Sequence, residues 1–142
     1  MLDTIEKLCD EYDINLAISS RGENSSSHYG RLQEVLKLCD SRSRRIGVYG
    51  DLASWIRCGI DPIEAVRMLR DRLLILQVHD FGKLTGAEKA AAIFEEIHRL
   101  GVRPIMFSIE YPHDVSGSMS ELGQSIDIFN RVSIEMAKRG EP

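Results

Sequence analysis

Four short segments of this chain have the make-up of β-strands, and each leads into a stretch with helical periodicity. They are Asn15-Leu-Ala-Ile-Ser19, Ile46-Gly-Val-Tyr-Gly-Asp51, Leu74-Ile-Leu-Gln-Val-His79 and Ile105-Met-Phe-Ser-Ile-Glu110. Side chains alternate across a strand, so one face collects Leu16, Ile18, Ile46, Val48, Leu74, Leu76, Val78, Ile105, Phe107 and Ile109. The other collects Ala17, Ser19, Gly47, Tyr49, Asp51, Ile75, Gln77, His79, Met106, Ser108 and Glu110. The first face needs a cover of helices, whereas the second converges on acid, imidazole and amide. Strands that alternate with helices imply right-handed parallel βαβ units, and such folds place their sites at the carboxyl ends of the strands.

Length limits the architecture. With 142 residues the chain is expected to be a single domain, 1–142, too short for an eight-fold barrel of roughly 250 residues. A net charge of −4 gives no electrostatic footprint for nucleic acid, and no apolar run approaches the length of a membrane span. The basic cluster Arg42, Arg44 and Arg45 reads as a solvated loop. Cys9, Cys39 and Cys58 are odd in number, widely spaced and set in apolar helical patterns. They are therefore expected to be buried thiols in a reducing compartment, and a cytoplasmic location follows from that and from the lack of a signal-peptide pattern at the N-terminus.

The expected order is helix, strand, helix, strand, helix, strand, helix, strand, helix. Asp61-Pro62-Ile63-Glu64 combines an N-cap, an N1 proline and a capping-box glutamate; Thr85 with Glu88 and Ser118 with Glu121 repeat the box. Apolar stripes at helical spacing follow: Leu32, Val35, Leu36 and Cys39; Ile63, Val66 and Leu69; Ile93, Phe94, Ile97 and Leu100; Leu122, Ile126, Phe129 and Met136. Gly101 and Gly140 are expected helix stops. The longest loops, Arg21 to Gly30 and Tyr111 to Ser118, lie on the side that carries the polar strand tips.

Asp51, His79 and Glu110 end three different strands and point to the same face. Two carboxylates and an imidazole can hold a divalent metal, or move protons beside a carbonyl. Each residue also has an ordinary structural use: Asp51 can cap the helix that begins at Leu52, His79 can pair with Asp80, and Glu110 can be solvated. Gln77 can hold a sugar hydroxyl or be satisfied within the sheet. Trp55 can wall a carbohydrate ring or anchor the core.

Several stretches resemble the sugar phosphate isomerase/epimerase family, the xylose-isomerase-like TIM barrels. They are Asn15-Leu-Ala-Ile-Ser-Ser-Arg-Gly22, Arg45-Ile-Gly-Val-Tyr-Gly-Asp-Leu-Ala-Ser-Trp55 with Cys58-Gly-Ile-Asp-Pro-Ile-Glu-Ala65, Val78-His-Asp80 and Ile109-Glu-Tyr111. The resemblance runs along essentially the whole chain and implies an α/β fold, a parallel (β/α) half-barrel of four strands with flanking helices. These would be strands five to eight of the barrel. It also implies a divalent metal (Mn, Mg or Zn) held by carboxylates and histidine, and proton transfer next to a sugar carbonyl. By position Asp51 matches the family aspartate and Glu110 the last glutamate, which would make them the catalytic pair and, with His79, the metal ligands. Ser19 stands at the first family ligand, Ser54 at a family histidine and Gln77 at the metal-binding histidine, so Ser19, Ser54, Gln77 and Trp55 are expected to contact substrate instead. Neutral serine and glutamine do not replace an acid and an imidazole, and His79 takes over only if the ion moves two residues along the strand, about 6–7 Å.

A half-barrel leaves two strand edges unpaired and an inner face bearing Tyr49, Ile75 and Met106. The expected partner is a second copy or a complementary half-barrel, with a small-molecule sugar as ligand and neither nucleic acid nor membrane. The expected function is that of a divergent, truncated isomerase/epimerase-like protein with its chemistry reduced or lost. The alternatives are a non-catalytic sugar-binding or oligomerisation module, or a fragment of a longer isomerase.

Overall fold

The computed structural model describes residues 1–19, 28–78, 81–109 and 118–139. In order these form α1 (Leu2–Tyr12), β1 (Leu16–Ser19), α2 (His28–Cys39), β2 (Ile46–Asp51), α3 (Leu52–Arg57), α4 (Pro62–Leu69), a 3₁₀ turn (Arg70–Arg72), β3 (Leu73–Val78), α5 (Phe81–Arg99), β4 (Met106–Ile109) and α6 (Ser118–Arg139). The four strands make one all-parallel sheet in the order β1-β2-β3-β4, flanked by helices, which is the arrangement of an α/β half-barrel. Among the described residues no helix is long and apolar enough to cross a membrane.

The core lies on one side of the sheet. Ile46, Val48, Leu73, Leu76 and Val78 pack there against Leu32, Val35 and Cys39 of α2, Leu52 and Trp55 of α3, Ala65, Val66 and Leu69 of α4, and Ile93, Phe94 and Ile97 of α5. Three aromatic rings tie α5 and α6 to β4: Phe94, Phe107 and Phe129 stand with centroids 5.3–5.7 Å apart, tilted or edge-on. Cys39 is fully buried, and burial pushes its thiol pKa up; Cys9 is also buried, whereas Cys58 is half-buried.

Strict alternation fails in one place. Val48 pairs with Leu73 but its neighbour Tyr49 pairs with Ile75, so Leu74 is an extra residue at a bulge. Leu73 therefore takes the core-facing position expected for Leu74, and Leu74 turns to the opposite face, over Gly47. A Cβ on Gly47 would come within 2.5 Å of both the Leu74 side chain and the Arg72 carbonyl oxygen, so only glycine fits there.

Other differences from the sequence reading have local causes. The third helical stretch is two helices, because Asp61 caps a new start by accepting from the Ile63 and Glu64 amides, with Pro62 at its first position. Helix α5 begins at Phe81, so Thr85 lies inside it. On α6 the buried positions are Ser125 and Val132, with Ile128, Phe129 and Met136 partly covered, while Ile126 of the expected stripe is exposed. Gly101 ends α5 in the left-handed conformation, φ +66, as expected, and Gly140 lies outside the described residues.

The basic cluster is more than a solvated loop. Arg42 bonds Asp3 and Glu6 of α1 at 2.8 and 2.9 Å and holds the Asp3 carboxyl below its usual range; Arg45 bonds Asp13, and Arg44 reaches Asp71. Arg72 donates to the carbonyls of Arg42, Ser43 and Ile46. These contacts fasten α1 and the 3₁₀ turn to the α2–β2 connection.

Candidate functional site

Pairing register lays the inner face out in rows. Ser19, Tyr49, Ile75 and Met106 form one row across all four strands. One pleat nearer the carboxyl ends, Asp51, Gln77 and Ser108 form a second row across β2, β3 and β4. Neighbours in a row are about 4.8 Å apart along the hydrogen-bonding direction and successive rows about 6–7 Å apart along the strands. Three of the residues expected by alternation to share a face thus stand side by side, an acid, an amide and a hydroxyl.

Burial distinguishes the rows. Asp51 and Gln77 are each only 3% exposed, the two most buried polar residues described, while Tyr49, Ile75 and Ser108 are half-buried and Met106 is 52% exposed. A buried carboxylate or amide must be hydrogen-bonded to be tolerated. Asp51 meets this partly through its own chain: it is the N-cap of α3, and its Oδ1 accepts the Ser54 amide at 3.0 Å. The helix-capping use of Asp51 is therefore realised, with Ser54 half-buried beside it as the backbone donor.

Trp55 does not wall this row. A Cβ on Gly50 would touch the Trp55 ring at 2.6 Å and Leu73 at 3.0 Å, which places the indole on the helix-bearing side, over Gly50, in the main core. At 3% exposure it offers no open ring face for a sugar, and its Nε1 finds no acceptor among the described residues. The expected carbohydrate contact is corrected to a core anchor, because the first turn of α3 folds back across β2. Ser19 is exposed at the tip of β1, in the lower row. His79 and Glu110 lie outside the described residues.

The described donors alone do not fit a divalent ion. Asp51 is the single carboxylate of its row, one of its oxygens is bonded to a helix amide, and its neighbours Gln77 and Ser108 are neutral. Among the described residues no group of three His, Cys, Asp or Glu converges. Asp51 and Gln77 are buried with partners inside the protein, and Ser108 is the more accessible member of the row.

A cavity of about 370 Å³ lies elsewhere, between α5, α6 and the amino end of β4, lined by Phe94, Ile97, Val102, Phe107, Phe129 and Met136 with His98, Arg103 and Ser133. It is on the helix side of the sheet and at the wrong end of the strands for the polar row. No pattern in the sequence announced it, since its walls are ordinary core stripe residues.

No protein-family model matches the chain, and no curated protein matches it. Among solved structures, it is similar to the crystal structure of an uncharacterized protein from Parabacteroides distasonis, with 26% sequence identity and a TM-score of 0.65. The match covers 92% of this chain and 53% of that one, so the chain spans about half the length of the protein it resembles.

Proposed function

We propose that the chain is a half-barrel relative of the sugar phosphate isomerases and epimerases that binds a polyol or sugar phosphate on its inner face, with the ancestral proton-transfer chemistry reduced or lost. The observation that carries the reading is the buried Asp51 beside the buried Gln77, in one row with Ser108 at the carboxyl ends of three parallel strands. Ligands of parallel α/β folds sit there. The reading requires Asp51 and Gln77 to exchange contacts they now make within the protein for hydroxyls of the ligand, and a catalytic version adds Glu110, the residue after β4, as the second acid that takes or returns a proton next to a carbonyl. A divalent ion (Mn, Mg or Zn) belongs to the reading only with His79 and Glu110 joined to Asp51.

The test is calorimetric titration with ketoses, their phosphates, and Mn²⁺, Mg²⁺ and Zn²⁺ in turn. Saturable sugar binding lost in Gln77→Leu supports the site, and turnover lost in Glu110→Gln makes it an enzyme. The absence of heat with every sugar and every ion rejects the reading.

The helix cap on Asp51 favours a second reading, a non-catalytic module in which Asp51 is structural. In that case Asp51→Asn, which keeps an N-cap oxygen, leaves all binding unchanged.

A further inference from the structure

We infer that the cavity between α5, α6 and the amino end of β4 is a binding site for a small carboxylic acid with an apolar, ring-bearing body. The body lies among the phenylalanines and the carboxylate meets Arg103.

Size and lining set the body of the ligand. Protein interiors leave few voids larger than a water molecule, yet this one measures about 370 Å³, the liquid volume of about a dozen waters. An apolar cavity of about 150 Å³ already holds benzene. Phe94, Phe107 and Phe129, whose ring centroids stand 5.3–5.7 Å apart, all line it. Phe107 and Phe129 pack against the core and still are only half-buried, so part of each ring is left for another ring to meet edge-on or offset. Met136 adds a thioether, a soft and adaptable neighbour for an aromatic ligand.

Charge sets the head group. The polar side chains of the lining are Arg103, His98 and Ser133, each able to donate a hydrogen bond, and no acid stands among the described residues that line the cavity. Arg42, Arg44, Arg45, Arg67, Arg99 and Arg139 each hold a carboxylate. Arg103 holds none among the described residues; its Nη1 donates to the neighbouring Val102 carbonyl at 3.2 Å, and the guanidinium has further N–H groups to offer a carboxylate. Glu95 borders a smaller hollow beside His98 and Met136, but its charge is answered by Arg139 at 2.5 Å. An anion therefore finds a partner here, and a cation finds only like charge.

The backbone beneath Arg103 is fixed on both sides. Gly101 ends α5 at φ +66, and the buried Val102 donates its amide back to the Ile97 carbonyl at 3.1 Å. Beyond Pro104, the Ile105 amide donates to the Leu74 carbonyl of β3 at 2.7 Å. The cation's attachment is thus set before any ligand arrives, which lowers the ordering cost of binding.

The experiment titrates the 142-residue chain with 3-phenylpropanoate, an acid of this size, by calorimetry and by methyl NMR. One-to-one saturable binding with a Kd below about 1 mM is expected. Methyl signals of Ile97, Val102 and Met136 should move, and those of Leu74 and Ile75, on the other face of the sheet, should not. Arg103→Gln, a change at an exposed residue, should weaken binding about tenfold or more with circular dichroism unchanged. The amine 3-phenylpropylamine, which has the same body and the opposite charge, should bind at least about tenfold more weakly than the acid. No saturation up to about 10 mM overturns the inference, as does equal binding of the amine or an Arg103→Gln variant that binds like the wild type. Octanoate bound as tightly as the ring-bearing acid overturns the choice of body. Self-association that moves the same methyl signals without ligand overturns it too, since the occupant would then be a second copy of the chain. Arg103→Gln should leave any sugar titration of the inner face unchanged, so failure of this site and failure of the proposed function are told apart.

Discussion

The two faces of the sheet share four strands and one backbone, yet they differ in almost every physical respect. On the helix side Ile46, Val48, Leu76 and Val78 are essentially inaccessible and belong to one core with residues of α2, α3, α4 and α5. On the inner side Ile75 and Tyr49 are half-buried, Met106 is half exposed, and the two best-buried residues, Asp51 and Gln77, are polar. The contrast teaches that this chain's folding energy comes from one face. The other buries Leu74, Asp51 and Gln77 and leaves Met106 and Ser19 open to water.

Adjacent residues of β3 give the sharpest way to break that contrast. Leu76→Ala removes a fully buried side chain and is expected to cost about 2–5 kcal/mol in urea denaturation. Ile75→Ala, one residue away on the other face, is expected to cost less, about 1–2 kcal/mol, because part of its surface is already in water. Equal costs would mean that the inner face is packed after all.

Gly47→Ala probes the place where the two faces interlock. The new methyl group meets a backbone carbonyl as well as Leu74, and a carbonyl cannot swing aside as a side chain does. A loss of about 1–3 kcal/mol is expected by the same denaturation, through displacement of the Arg72 turn. A neutral result would show that the Leu74 bulge is loose.

Asp51 tests whether the inner face carries function or only structure. Asp51→Ala removes the cap of α3 and should cost about 1 kcal/mol, whereas Asp51→Asn keeps an acceptor for the Ser54 amide and should cost a few tenths. Sugar binding measured on these two folded variants then decides the role of the charge. Binding lost in Asp51→Asn at unchanged stability assigns the carboxylate to a ligand.

The alternation of apolar and polar residues made much of this legible beforehand. Strand β2 was read to its exact ends from Ile46 to Asp51, and the sharing of one face by Asp51, Gln77 and Ser108 followed from period two alone. Period counting fails where register changes, so it put Leu74 on the wrong face, because a bulge depends on the partner strand and leaves no local mark. It also could not place Trp55, whose side of the sheet is decided by how α3 turns back over Gly50. Arg42 and Arg45 read as a solvated loop because their acidic partners, Asp3, Glu6 and Asp13, lie more than thirty residues earlier, in α1 and at its C-cap. His79 and Glu110, the other two strand-tip candidates, lie outside the described residues.

The smallest effect belongs to the outer surface of the helix layer, where Glu96 of α5 is clamped between two arginines. Arg99 donates to both of its oxygens, at 2.8 and 2.6 Å, and Arg67 of α4 donates at 2.8 Å. Hydrogen bonding by Arg99, then by Arg67, holds the carboxyl at about 2, against 4.5 when unperturbed. A depressed carboxyl contributes stability that is fully present above its unfolded value and is lost as pH falls through its folded one, so the relevant window runs from about 4.5 down to about 2. The stability difference between the wild type and Glu96→Gln should therefore be constant at neutral pH and shrink across that window. Both arginines are well exposed, so water and salt screen the clamp and the difference stays small. Carboxyl-detected NMR gives the direct check: Glu96 should titrate near 2, and Arg99→Ala should raise it further than Arg67→Ala does. A midpoint near 4.5 in the wild type would mean that α4 and α5 are joined by their apolar faces alone, and the closed side of the sheet would then owe its order entirely to packing.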